Sequence, residues 1–165
     1  MNSTLRQETE VGGVFPVKNP AQDIPREKIT ECKAKEPVPG LKIILAEDDP
    51  TNQFAMHRIL KSLGHEVVVA ENGQAVLDFL DKDKADIIFM DFQMPVMDGI
   101  EATRAIRSGD YPEAVRKMPI IALSAFAMDR DREKMLQSGM NDFISKPAEP
   151  DDFQKVLARY APVKN

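Results

Sequence analysis

The strongest constraint in this sequence is a five-fold alternation between short apolar runs and segments of helical period. The runs are LKIILA (residues 41–46), EVVVA (66–70), DIIFM (86–90), PIIALS (119–124) and a weaker DFIS (142–145). Between them apolar residues return every three or four positions. Met56, Ile59, Leu60 and Leu63 fall at i, i+3, i+4 and i+7, and Phe153, Val156, Leu157 and Tyr160 repeat that spacing near the end. Val76, Phe79 and Leu80 mark a second helix, residues 100–107 a third and residues 129–137 a fourth. Asp49 before Pro50, Asn72 before Gly73 and Asp98 before Gly99 stand where a side-chain oxygen accepts the free N–H groups of a first helical turn.

Continuous apolar runs of this length fit strands buried on both faces, which is what a parallel sheet covered by helices requires. Right-handed crossovers then leave few ways to connect five βα units. The expected fold is α/β: a doubly wound, five-stranded parallel sheet in the order 2-1-3-4-5. In such sheets ligands bind beyond the carboxyl ends of the strands, where the winding reverses, here between strands 1 and 3.

Residues with chemistry gather at that edge. Strand 1 runs into Glu47, Asp48 and Asp49, strand 3 ends in Asp91, strand 4 ends in Ser124, and Lys146 follows strand 5. Glu47, Asp48 and Asp91 on adjacent strand ends repel one another unless a cation lies among them. An all-oxygen donor set with room for water suits Mg²⁺ better than zinc or copper. With a cation bound, the Asp91 carboxylate could attack a phosphoryl donor, because the metal and the Lys146 ammonium neutralise charge on the transferred oxygens. The Ser124 hydroxyl could donate a hydrogen bond to the same group. No GxGxxG or GxxxxGK cradle is present, which argues against nucleotide binding.

Composition sets the surroundings of this site. A chain of 165 residues is enough for one full hydrophobic core. With 22 Lys plus Arg against 27 Asp plus Glu, the net charge of -5 argues against direct contact with nucleic acid. No apolar run reaches bilayer length, and MNSTLRQETE at the start lacks the apolar centre of a signal peptide, so a cytoplasmic protein without membrane insertion is expected. The single cysteine, Cys32, excludes an internal disulfide, and no Cys or His stands near it at zinc-ligand spacing. Residues 1–40 hold five of the 12 prolines, balanced charges and no sustained apolar period. They are expected to form a flexible or loosely ordered leader, or a remnant of a larger multidomain chain. Residues 41–160 are then the folded domain and 161–165 a tail.

Four segments occur in order: LKIILAEDDPTNQ (41–53), MDFQMPVMDGIEATRAIR (90–107), MPIIALSA (118–125) and GMNDFISKP (139–147). Together they resemble the receiver domain of two-component response regulators, in particular receivers attached to hybrid sensor histidine kinases. The resemblance runs from Leu41 to about Tyr160. It implies a flavodoxin-like receiver fold with Asp91 as phospho-acceptor. It also implies that Glu47 and Asp48 are the acidic pair holding Mg²⁺, with Asp91 and the backbone carbonyl of Gln93 as further ligands. By the same resemblance Ser124 is the switch hydroxyl, Phe143 the aromatic switch and Lys146 the lysine of the family, with a cis bond to Pro147. The implied donor is a sensor histidine kinase or a histidine phosphotransfer protein. The implied output is a protein partner on the face of the fourth helix, fifth strand and fifth helix, and the only chemistry is self-phosphorylation and self-dephosphorylation. No output domain is recognisable in the sequence.

Some residues depart from the commoner family pattern. Gln93 and Phe126 occupy positions that in this family influence phosphoryl lifetime, Ser124 replaces the commoner threonine, and Phe143 replaces the frequent tyrosine. An aspartate-nucleophile phosphohydrolase of the haloacid dehalogenase kind is an alternative, but it needs an acid/base Asp two residues beyond the nucleophile, where Gln93 stands. A non-phosphorylated interaction module is another, and Asp91, Ser124 and Lys146 argue against it. His57 reads as an ordinary helix side chain, His65 as a loop residue, Met56, Met90 and Met135 as core, and residues 108–118 as a polar loop.

Overall fold

Each of the five apolar runs forms a strand: β1 (Lys42–Ala46), β2 (Glu66–Ala70), β3 (Ile87–Asp91), β4 (Ile120–Ser124) and β5 (Asp142–Ser145). The computed structural model describes residues 40–125 and 129–162, so the expectations for the leader and for Phe126 lie outside the described residues. All pairings are parallel and the spatial order is β2-β1-β3-β4-β5, the expected 2-1-3-4-5. Ile44 of β1 lies between Val68 and Ile88, Met90 lies beside Ala122, and Ser124 lies beside Ser145. This register brings the carboxyl ends of β1, β3, β4 and β5 to one edge.

The helices are α1 (Pro50–Ser62), α2 (Gly73–Leu80), α3 (Gly99–Ser108), α4 (Glu113–Arg116), α5 (Asp129–Ser138) and α6 (Pro150–Tyr160). The three expected caps are in place. Asp49 Oδ1 accepts from the N–H groups of Thr51 (2.8 Å) and Asn52 (3.0 Å), and Asn72 Oδ1 accepts from Ala75 (2.9 Å). Asp98 Oδ1 accepts from Glu101 N–H at 2.9 Å while the Glu101 carboxylate accepts from Asp98 N–H at 3.4 Å, a reciprocal capping box.

Side chains alternate across the sheet, as a period of two demands. Ile44, Ala46, Ile88, Met90, Ile120 and Ala122 face α2, α3 and α5, which answer with Val76, Leu80, Ala102, Ile106 and Met135. Ile43, Leu45, Ile87, Phe89, Ile121 and Leu123 face α1 and α6, which contribute Met56, Leu60, Phe153, Val156 and Leu157. Phe89 and Phe153 meet edge to face with centroids 5.0 Å apart and planes at 82°, tying the central strand to the last helix. The three methionines assigned to the core are buried.

Three local expectations are corrected. EVVVA is only half-buried, with Val69 39% exposed, because β2 is an edge strand with a neighbour on one side only. The connection at 108–118 contains the single turn α4, whose Val115 is buried, as is Met118 just after it. One turn is too short for a 3.6 period to register. His65 follows the turn at Gly64 but is buried, and its Nδ1 accepts the N–H of Leu41 at 3.2 Å, bridging the starts of β1 and β2.

Candidate functional site

The edge where β1 and β3 run out carries three acidic side chains. Glu47 directly follows β1 and is fully buried, Asp48 next to it is exposed, and Asp91 is the last residue of β3 and 5% exposed. Each offers one carboxylate oxygen within 4.8 Å of the others. Asp49 does not join them; it is spent on capping α1. Glu47 is fixed from two directions: its Oε1 accepts the N–H of Asp49 at 3.1 Å, and its backbone carbonyl accepts Gln53 Nε2 at 2.6 Å.

Lys146 enters from the far side of the sheet, one residue beyond β5. Its Nζ donates to Glu47 Oε2 at 2.9 Å and to Asp91 Oδ2 at 3.1 Å. Burial works to lower its pKa, but the hydrogen bonds and charges of Glu47 and Asp91 outweigh burial and hold it above the ordinary lysine value. The ammonium is therefore a permanent positive charge beside the Asp91 carboxylate. The Lys146–Pro147 bond is cis, as the resemblance implied, and Lys146 N–H donates to the Ser124 carbonyl at 2.8 Å, tying β5 to β4 at the site.

Asp91 is held by its own loop as well. Its Oδ1 accepts the N–H of Gln93 at 3.3 Å, and Gly99 N–H donates to the carbonyl of Phe92, also at 3.3 Å. A Cβ on Gly99 would run into the Asp91 carbonyl and the Met90 side chain, so only glycine lets α3 start this close behind the acceptor strand. A cavity of about 150 Å³ opens in front of Asp91, lined by Phe92, Gln93, Ser124, Ala125, Asp131 and Lys146.

Glu47, Asp48, Asp91, Ser124 and Lys146, singled out from strand ends in the sequence, are thus brought together. Gln93 is exposed in the loop beyond Asp91, with its backbone N–H on the Asp91 carboxylate. Phe143, in β5, is half-buried outside the cavity, and the Arg132 guanidinium lies over its ring at 5.1 Å from the centroid. Sequence reasoning missed Asp131 and Gln53. Asp131 lies in the first turn of a helix whose position only the fold supplies; Gln53 stands one turn into α1, where its reach back to the Glu47 carbonyl is a weak local signal.

Three carboxylates facing one ammonium leave a net negative pocket built of oxygen donors. Such a set fits a hard divalent cation that retains water, not a thiolate or imidazole metal. A buried strand-end carboxylate with that cation site on one flank and a lysine on the other defines a phosphoryl-accepting signalling module on a doubly wound sheet. The profile of the response regulator receiver domain matches residues 43–158, and the chain belongs to that family. The sensor protein GacS of Pseudomonas syringae pv. syringae is 34% identical over 119 residues, covering 72% of this chain but 13% of GacS. The receiver domain of sensor histidine kinase PA1611 of Pseudomonas aeruginosa PAO1 is 40% identical, covers 73% of this chain and 97% of its own, and superposes with a TM-score of 0.67. That receiver has a magnesium ion coordinated in its active site cleft. The receiver domain of the Saccharomyces cerevisiae response regulator Ssk1, crystallised with the histidine phosphotransfer protein Ypd1, is 28% identical with a TM-score of 0.66 over 74% of this chain and 90% of its own. Among the described residues no helix is long and apolar enough to cross a membrane.

Proposed function

We infer that Asp91 accepts a phosphoryl group from a phosphohistidine on a sensor histidine kinase or a histidine phosphotransfer protein, in a Mg²⁺-dependent reaction within a cytoplasmic phosphorelay. The observation that carries this reading is the Lys146 ammonium, held at once on Glu47 and Asp91 at the mouth of a small cavity that also contains Ser124. Glu47, Asp48, Asp91 and the Gln93 backbone carbonyl are the ligands assigned to magnesium, which when bound supplies positive charge against the transferred phosphoryl oxygens.

The protein's own groups do the rest. An Asp91 carboxylate oxygen bonds to phosphorus as the phosphorus–nitrogen bond breaks, and the departing imidazole nitrogen keeps the electron pair. Lys146 remains protonated throughout and offsets charge on the phosphoryl oxygens, while Ser124 donates a hydrogen bond to one of them. The chain turns over no substrate: its chemistry is gain and loss of its own phosphoryl group. Residues 41–160 form the unit that does this, with residues 1–40 as leader and 161–165 as tail. The signal leaves through α5, β5 and α6, where Phe143 and Arg132 lie, toward a protein partner.

Incubation with acetyl phosphate and Mg²⁺ should yield a hydroxylamine-labile adduct on the peptide containing Asp91. The same adduct at undiminished yield in Asp91→Asn would refute the reading.

A further inference from the structure

Asp131, in the first turn of α5, belongs to the wall of the cavity that Asp91, Ser124 and Lys146 also line. Among the described residues its carboxylate makes no hydrogen bond and no ion pair. The neighbouring Arg132 does not neutralise it, since that guanidinium lies over the Phe143 ring. Any phosphoryl donor that reaches Asp91 must enter this cavity, and every such donor is an anion. A free carboxylate on the wall therefore makes the entrance more negative by one charge.

We propose that Asp131 is a specificity-determining residue that holds back small, doubly anionic phosphoryl donors and so insulates Asp91 from acyl phosphates in solution. The proposal rests on Asp91 being the phosphoryl acceptor. With acetyl phosphate, an Asp91 oxygen bonds to phosphorus as the phosphorus–oxygen bond breaks and acetate leaves with the electron pair. With phosphoramidate the phosphorus–nitrogen bond breaks and ammonia leaves. The bond formed to Asp91 is the same in both, but near neutral pH the first donor carries two net negative charges and the second carries one.

The work of bringing a donor past a fixed charge scales with the donor's own charge. Removing the Asp131 charge must then speed the doubly charged donor by the square of the factor gained by the singly charged one. For charges roughly 10 Å apart in a water-like medium, those factors are about fourfold and about twofold.

The test compares initial rates of Asp91 phosphorylation by the two donors, at fixed Mg²⁺, in the parent, in Asp131→Asn and in Asp129→Asn. Asp129 is an exposed acid of the same helical turn that does not line the cavity, so it controls for net charge and for the helix N-terminus. Asp131→Asn should gain about fourfold with acetyl phosphate and about twofold with phosphoramidate, and both gains should shrink at about 0.5 M salt. Asp129→Asn should show no such split between donors. Equal gains with both donors in Asp131→Asn, or no gain at all, would overturn the role of Asp131 while leaving Asp91 as acceptor. Absence of any adduct in the parent with either donor would instead remove the phosphoryl-acceptor reading on which it stands.

Discussion

The guanidinium of Arg132 lies 5.1 Å from the centroid of the Phe143 ring, so the first turn of α5 is pinned to the middle of β5. The ring is half-buried and packs against the core layer beneath α2, α3 and α5. Two strands end beside each other here: β4 in Ser124 and β5 in Ser145, with Phe143 opposite Ala122 in the ladder. A change at Ser124 is therefore only one strand away from the ring, and through the ring it reaches α5.

This arrangement makes the proposed output surface testable. Phosphorylated Asp91 should draw the Ser124 hydroxyl toward the phosphoryl group and let the Phe143 ring turn inward, repacking α5, β5 and α6. A cation–π contact at an exposed site is worth about 0.5–1 kcal/mol, so its loss changes populations by about two- to fivefold. In Arg132→Ala, NMR shifts of Phe143 and α5 should already lie part of the way toward those the parent shows with beryllofluoride. Ser124→Ala should still accept phosphate yet lose much of the beryllofluoride response. Shifts around Phe143 as large in Ser124→Ala as in the parent would show that the hydroxyl is not the coupling element.

The parts of the molecule legible in the sequence are those set by local pattern. Period-two and period-3.6 spacing places the strands and long helices, and Asp49, Asn72 and Asp98 mark helix starts because capping is a matter of a few adjacent residues. Sheet order follows from crossover handedness, and order alone brings Glu47, Asp91, Ser124 and Lys146 together. Features that depend on contacts between distant elements are hidden. Arg107 donates to the carbonyls of Gly139 (3.0 Å) and Arg116 (2.7 Å) and to the Asn141 side chain (2.9 Å), joining α3, α4 and the turn into β5. Nothing in the segment around Arg107 announces those partners. Asp131 is hidden for the same reason, and His65 because burial of a turn residue depends on what the fold lays across it.

The metal assignment has its own consequence. Asp48 is the one exposed member of the carboxylate cluster, so replacing it disturbs no buried contact. Asp48→Asn should fold as the parent does but bind Mg²⁺ more weakly by about 1–3 kcal/mol, roughly tenfold or more in affinity. Acetyl phosphate labelling of Asp91 should fall with it. Calorimetric or fluorescence titration giving equal Mg²⁺ affinity in mutant and parent would take Asp48 out of the site.

His65 gives the protein a pH-dependent stability away from the phosphoryl site. Its imidazole is buried, burial pushes its pKa below the ordinary 6.5, and its Nδ1 must be unprotonated to accept the Leu41 N–H. Above pH 6.5 the ring is neutral in both folded and unfolded chains, and the Leu41 contact contributes in full. As pH falls through 6.5 the unfolded chain takes up the proton first, so stability drops, by at most about 1.4 kcal/mol per pH unit, until the folded-state pKa is reached. Urea unfolding at pH 7.5 and pH 5.5 should therefore show a lower midpoint in acid for the parent. His65→Gln keeps an oxygen acceptor for Leu41 but cannot titrate, and it should lose most of that difference. A pH dependence as steep in His65→Gln as in the parent would assign the effect to other groups.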